Sequence, residues 1–127
     1  TEIQSYKYQS NQATEYFISV VEPQLDKLIG LVRLRCLKNS DVFIPELKDA
    51  AIVRELHVYG KQESLSKTKL NSKSQHLGLG TKLMQAAEAQ AKLEGYKKIA
   101  VISAIGTREY YKKLGYHLDG TYMLKEL

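Results

Sequence analysis

Gln75-His76-Leu77-Gly78-Leu79-Gly80-Thr81 is the stretch whose reading decides the fold. Downstream of it, Leu83, Met84, Ala87 and Ala91 share one face at helical spacing and Gly95 ends the pattern, so residues 79–94 are expected to form a helix. Upstream lies a strand-like run, so the two glycines flank Leu79 at a strand-to-helix junction. Gly78 and Gly80 let the backbone approach a ligand closely. The first-turn N–H groups of a helix lack intrahelical partners and sit in positive potential, which makes the junction a site for a pyrophosphate. A tight turn with no ligand would use the same glycines. Two rival phosphate motifs fail. Leu83 stands where the dinucleotide fingerprint needs a third glycine, and the order Gly80-Thr81-Lys82 is not the Gly-Lys-Ser/Thr of a Walker loop.

Working outward, Ala51 to Tyr59 (AIVRELHVY) is expected to be a strand. Ile52, Leu56 and Val58 share a parity that Arg54 interrupts, so either Arg54 snorkels or a bulge shifts the register. Glu55 and His57 point the same way and form either an acid/base pair or a polar face. Further upstream, residues 15–21 (EYFISVV) and 28–37 (LIGLVRLRCL) read as a hairpin with a longer loop. Val32, Leu34 and Cys36 alternate there with Arg33 and Arg35, giving one apolar and one basic face. Residues 38–50 read as loop.

Downstream, Lys98 to Ser103 (KIAVIS) is expected to be a buried strand. Thr107 is placed to cap a short helix that reaches Leu114 and stops at Gly115. That helix carries Tyr110-Tyr111, which either pack or offer hydroxyls to chemistry. Residues 116–118 and 122–127 read as a terminal hairpin around Asp119-Gly120. The expected order, β-β-β-loop-α-β-α-β-β, is an α/β mixture around one sheet.

Composition limits the function classes. The chain has 127 residues, the size of one domain, with 43% hydrophobic and 26% charged residues. No apolar run approaches the roughly 18 residues of a membrane helix, and no signal-like segment opens the chain. Cys36 is the single cysteine, so the chain alone makes no disulfide, cysteine zinc site or cysteine-ligated iron–sulfur cluster. It reads as a small core residue, and the cysteine usage fits cytoplasm or nucleus. No metal site is expected. The net charge of +5 favours anionic partners, or simply a lysine-rich solvated surface. Five lysines (Lys61, Lys67, Lys69, Lys73, Lys82) face one acid, Glu63, between positions 61 and 82, and Glu63 to Ser74 reads as a basic loop.

Taken together, these segments resemble the acetyltransferase (GNAT) superfamily, whose Gln/Arg-x-x-Gly-x-Gly/Ala pattern is met by Gln75, Gly78 and Gly80. The strings Arg54-Glu55-Leu56-His57-Val58-Tyr59-Gly60, Lys98-Ile99-Ala100-Val101-Ile102-Ser103, Gly106-Thr107-Arg108-Glu109-Tyr110-Tyr111 and Leu114-Gly115-Tyr116 narrow the likeness. They are similar to the C-terminal domain of the elongator catalytic subunit family, which modifies the wobble uridine of tRNA. The resemblance covers residues 16–127. It implies a GNAT-type fold: a mixed, largely antiparallel sheet flanked by helices, with strands splayed at an acetyl-CoA cleft.

The resemblance also implies residue roles. The backbone of Glu55, Leu56, His57 and Val58 pairs with the pantetheine arm. The backbone of Gln75, His76, Gly78, Leu79, Gly80 and Thr81 holds the pyrophosphate. Tyr111 sits near the thioester with Tyr110 beside it. In that family an upstream radical-SAM domain carries SAM and an iron–sulfur cluster. Residues 1–127 therefore look like the isolated acetyltransferase domain, or a single-domain relative. The implied partners are acetyl-CoA, tRNA, and the radical-SAM domain or other elongator-type subunits, with no membrane. Three functions stay open: a tRNA-modification acetyltransferase domain, a protein lysine acetyltransferase using Glu55 or His57 as base, and a non-catalytic acetyl-CoA-sensing module.

Overall fold

Alternation builds the first half of the molecule. β2 (Ala13–Glu22) and β3 (Lys27–Leu37) form the expected antiparallel hairpin. Tyr16, Ile18 and Val20 of β2 and Val32, Leu34 and Cys36 of β3 are buried together in one core, and alternation turns Arg33 and Arg35 to the opposite face. The computed structural model describes residues 2–10, 13–37, 47–59, 69–102 and 107–127, with 69–77 described by their backbone. Most of the loop expected at 38–50 lies outside these residues.

A further strand, β1 (Glu2–Gln9), pairs antiparallel with β2 and was not expected. Nearly all of its residues are exposed, so no apolar alternation announces it. β4 (Ala50–Val58) pairs antiparallel with β3 and carries the irregularity foreseen at Arg54. Arg33 faces Glu55 and Leu34 faces Val53, which leaves Arg54 as the extra residue of a bulge. The bulge reassigns one residue. Leu56 and Val58 join the main core, whereas Ile52 joins a small cluster with Leu47, Ala50, Ala100 and Leu124, so Ile52 does not share their face.

β5 (Lys98–Ile102) runs parallel to β4, and β6 (His117–Asp119) and β7 (Tyr122–Glu126) form the terminal hairpin. Among the described residues, seven strands lie in the order β1-β2-β3-β4-β5-β7-β6, and β4–β5 is the parallel pair. Pairing of β4 with β5 runs from Ala50↔Lys98 to Val53↔Val101. Past the bulge, Glu55–Val58 stay paired to β3 and part from β5.

The helix that covers the core, α1 (Lys69–Leu93), corrects the expected 79–94. Its C-terminal end lies within a residue of expectation, at a Gly95 with φ of 91°. Its start lies ten residues earlier, inside the stretch read as a basic loop. Residues 69–77 hold neither proline nor a β-branched residue, and a glycine in a helix costs only about 1 kcal/mol, so a nucleated helix extends through Gly78 and Gly80. Leu83, Met84, Ala87 and Ala91 are buried against the sheet, as their spacing requires. Gly30 on β3 makes the contact close. A methyl there would stand 3.0 Å from both Leu83 Cδ1 and the His57 carbonyl. The short α2 (Arg108–Lys113) follows Thr107, whose side chain makes no capping hydrogen bond, unlike the cap expected of it. Among the described residues, no helix is long and apolar enough to cross a membrane.

Candidate functional site

Three elements converge where β4 leaves β5. The bulge at Arg54 directs Leu56 and Val58 to the α1 side of the sheet, α1 brings Gly80 and Thr81 above them, and α2 brings Tyr110 and Tyr111. Tyr110 joins these pieces. A methyl placed on Gly80 would collide with the Tyr110 hydroxyl, and would lie 3.4 Å from Tyr110 Cζ and 3.8 Å from Val58 Cγ2. The absent side chain of Gly80 is therefore the space in which the Tyr110 hydroxyl sits. That hydroxyl also hydrogen-bonds the Thr81 side chain. Gly78 has open space over its Cα.

Tyr111 turns inward from Tyr110. The two rings meet edge to face at 5.1 Å, and Tyr111 meets Tyr116 in the same manner at 5.8 Å. Tyr111 is 7% exposed, and burial pushes its phenol up to about 12. Burial raises the Tyr110 phenol as well, and the bond to Thr81 partly opposes it. Both phenols are thus neutral at physiological pH.

The structure separates Glu55 and His57 from the tyrosines. Their side chains take the sheet face opposite α1, where Glu55 Oε1 lies 3.1 Å from His57 Nε2. Arg33 stands 3.6 Å from the same carboxylate and donates to the Tyr8 hydroxyl at 3.2 Å, and His57 stacks on Tyr59 with ring centroids 5.9 Å apart. Glu55 and His57 are therefore members of a polar network across the strands. Among the described residues, the backbone of residues 55–58 stays paired to β3, and its other edge has parted from β5.

Gln75 and His76 lie in α1, in the part described by its backbone. The candidate anion segment is helical as a whole, so from residue 73 onward its N–H groups serve the helix ladder. Of the five lysines singled out, Lys61 and Lys67 lie outside the described residues and Lys82 is exposed on α1. Arg33 and Arg35 face away from α1, so they and Lys82 occupy opposite sides of the sheet.

Sequence reasoning missed Glu88, Tyr116 and Lys125. The Tyr116 hydroxyl donates to Glu88 Oε2 at 2.7 Å, and Lys125 Nζ lies 3.2 Å from Glu88 Oε1. A signal existed. Glu88 falls four residues after Met84 and three before Ala91, on the apolar stripe of α1, and a carboxylate there needs a donor.

A family model described as Acetyltransferase (GNAT) domain matches residues 38–125. Elongator complex protein 3 of Danio rerio is 51% identical over 123 residues, and that of Dictyostelium discoideum 50%, each match covering 94% of this chain and 22% of the relative. The human protein of the same name is 48% identical over 122 residues. The chain thus spans about a fifth of the length of these curated relatives. Among solved structures, an N-terminally deleted archaeal Elp3 from Methanocaldococcus infernus superposes with a TM-score of 0.78 at 39% identity, covering 99% of this chain and 30% of that one. A Bacillus subtilis acetyltransferase in complex with CoA gives a TM-score of 0.54 at 15% identity over 99% of both chains, a likeness of fold alone.

Proposed function

This chain belongs to the acetyltransferase (GNAT) family, and from that premise we propose that it binds and cleaves acetyl-CoA as the acetyltransferase domain of an elongator-type tRNA wobble-uridine-modifying enzyme. In this reading it acts with tRNA and with a radical-SAM domain that supplies SAM and its iron–sulfur cluster. The observation that carries the reading is the meeting of Val58, Gly80, Thr81 and Tyr110 beside the parting of β4 from β5.

Each part has a physical role. The edge of Glu55–Val58 that has parted from β5 offers backbone donors and acceptors to the amides of a pantetheine arm, as an added strand would use them. Gln75–Thr81 receive the pyrophosphate once their N–H groups are released from the helix ladder. That requires α1 to begin near Gly78–Gly80. Two glycines, each about 1 kcal/mol poorer than alanine in a helix, make this the boundary at which the earlier turns unwind most easily.

In the hydrolysis, water adds to the acetyl carbonyl and the thioester C–S bond breaks to release acetate; Tyr111 answers the charge that develops on the departing sulfur. A thiol titrates at about 8.5, so full proton transfer from a phenol at about 12 is uphill by about 3.5 pH units. Tyr111 therefore acts as a hydrogen-bond donor to sulfur, which its high pKa keeps protonated, and water or solvent acid completes the protonation. Tyr110 fixes the relation of α2 to α1. Glu55 and His57 face away from this point, which weighs against either as the base of a lysine acetyltransferase.

Acetyl-CoA hydrolysis measured with tRNA, with a histone-tail peptide and with neither tests the reading. Slow hydrolysis that the peptide leaves unchanged is expected. Acetylation of the peptide at many times that rate would replace the tRNA reading with the lysine one. The chain alone is expected to leave tRNA uridine unmodified, since one buried cysteine holds no cluster.

A further inference from the structure

We propose that Tyr116, held by Glu88, is the positioning residue for Tyr111. The inference rests on the proposed role of Tyr111 at the thioester. Tyr116 lies five residues after Tyr111, beyond the end of α2, and grips it twice. Its backbone N–H donates to the Tyr111 carbonyl at 3.0 Å, and its ring packs edge to face on the Tyr111 ring at 5.8 Å. Gly115, with φ of 97°, makes the turn that brings the chain back for this grip.

The far end of Tyr116 is anchored on a different element. Its hydroxyl donates to Glu88 of α1 at 2.7 Å, and Lys125 of β7 holds the second oxygen of the same carboxylate at 3.2 Å. Lys125 Nζ also lies 5.6 Å from the centre of the Tyr116 ring. A buried ring is thereby fixed at both ends, and Tyr111 is wedged between it and Tyr110. Burial and the Glu88 carboxylate both raise the Tyr116 phenol, so it remains a donor across the physiological range. Its hydroxyl is occupied by Glu88 and its ring lies behind Tyr111, so its effect on chemistry passes through Tyr111. Any freedom gained by the Tyr111 ring swings its hydroxyl through a long arc, and small misplacements of a reacting group are expensive.

The test compares Tyr116→Phe, Glu88→Ala and Glu88→Gln in the full chain, alone and with Tyr111→Phe. The readouts are acetyl-CoA affinity by calorimetry, the hydrolysis rate constant, and the ring signals of isotopically labelled Tyr111 by NMR. Tyr116→Phe and Glu88→Ala should leave affinity within about twofold and lower the rate constant about 10-fold, with the Tyr111 ring signals shifted. Glu88→Gln keeps an oxygen that accepts from Tyr116, so it should restore most of the rate and the signals. In the Tyr111→Phe background, Tyr116→Phe should add no further loss. An independent loss in that background, or an unchanged rate and unshifted signals in Tyr116→Phe, overturns the proposal. Undiminished turnover in Tyr111→Phe alone would instead remove Tyr111 from the thioester. Positioning is then judged by the Tyr111 ring signals, which must shift in Tyr116→Phe and return in Glu88→Gln.

Discussion

Replacing Gly80 by alanine puts a methyl where the Tyr110 hydroxyl now sits. The helix gains about 1 kcal/mol, because alanine is the better helix former. To admit the methyl, the Tyr110 ring must swing aside, losing its bond to Thr81, worth about 1 kcal/mol, and its edge contact with Tyr111, worth about 0.5–1.5 kcal/mol. Loss outweighs gain, and Gly80→Ala should destabilise the fold by about 1 kcal/mol. In a Tyr110→Phe background the obstructing oxygen is gone and the nearest ring carbon is an ordinary contact at 3.4 Å. The same Gly80→Ala change should then stabilise by about 1 kcal/mol. Urea denaturation of the four proteins measures the coupling, expected at about 2 kcal/mol with unchanged slopes. Equal effects of Gly80→Ala in both backgrounds, within about 0.5 kcal/mol, would refute the seat of Tyr110 over Gly80.

Tyr111→Phe should keep acetyl-CoA affinity by calorimetry while turnover falls about 10²-fold; a matching loss from Tyr110→Phe instead would reverse the roles within the pair. Tyr96 and Tyr111 are both pushed up to about 12 by burial. The folded state therefore holds these protons more tightly than the unfolded chain, whose tyrosines titrate near 10. Their contribution to stability is intact below pH 10 and is lost as pH rises from 10 to about 12, so urea midpoints should fall across that window; a rise there contradicts the assignment. Cys36 is buried and its thiol is pushed up to about 11, so alkylation at neutral pH should be at least about 10²-fold slower in the native protein than in urea. Gly80→Glu adds bulk and negative charge at the proposed pyrophosphate site and should abolish acetyl-CoA binding, with circular dichroism reporting a retained fold.

What the sequence made legible follows the burial of each element. Val32, Leu34 and Cys36 alternate with arginines because one face of β3 is core, and the stripe from Leu83 to Ala91 repeats because one face of α1 is core. β1 has no buried face and left no period to read. At Arg54 the broken parity was visible, but the choice between a snorkelling side chain and a bulge depends on the register with β3, a long-range property. The glycines of Gln75–Thr81 read as a junction because a helix interior seldom carries two of them so close. Packing supplied a different reason for one: Gly80 makes room for a tyrosine thirty residues downstream, which no local pattern reveals. The Tyr110–Tyr111 pair stood out in the sequence, and its expected place at the thioester came from a family likeness, whereas its support by Tyr116, Glu88 and Lys125 joins α1, the turn after α2 and β7.

The most direct test of the central claim is an NMR titration of the isotopically labelled chain with CoA, following backbone amides. Binding in the proposed cleft should shift the amides of Glu55–Val58, Gly78–Thr81 and Tyr110–Tyr111 together, along one saturation curve. Shifts confined to the β1–β2 end of the sheet, or no shift at millimolar CoA in the folded protein, would contradict it.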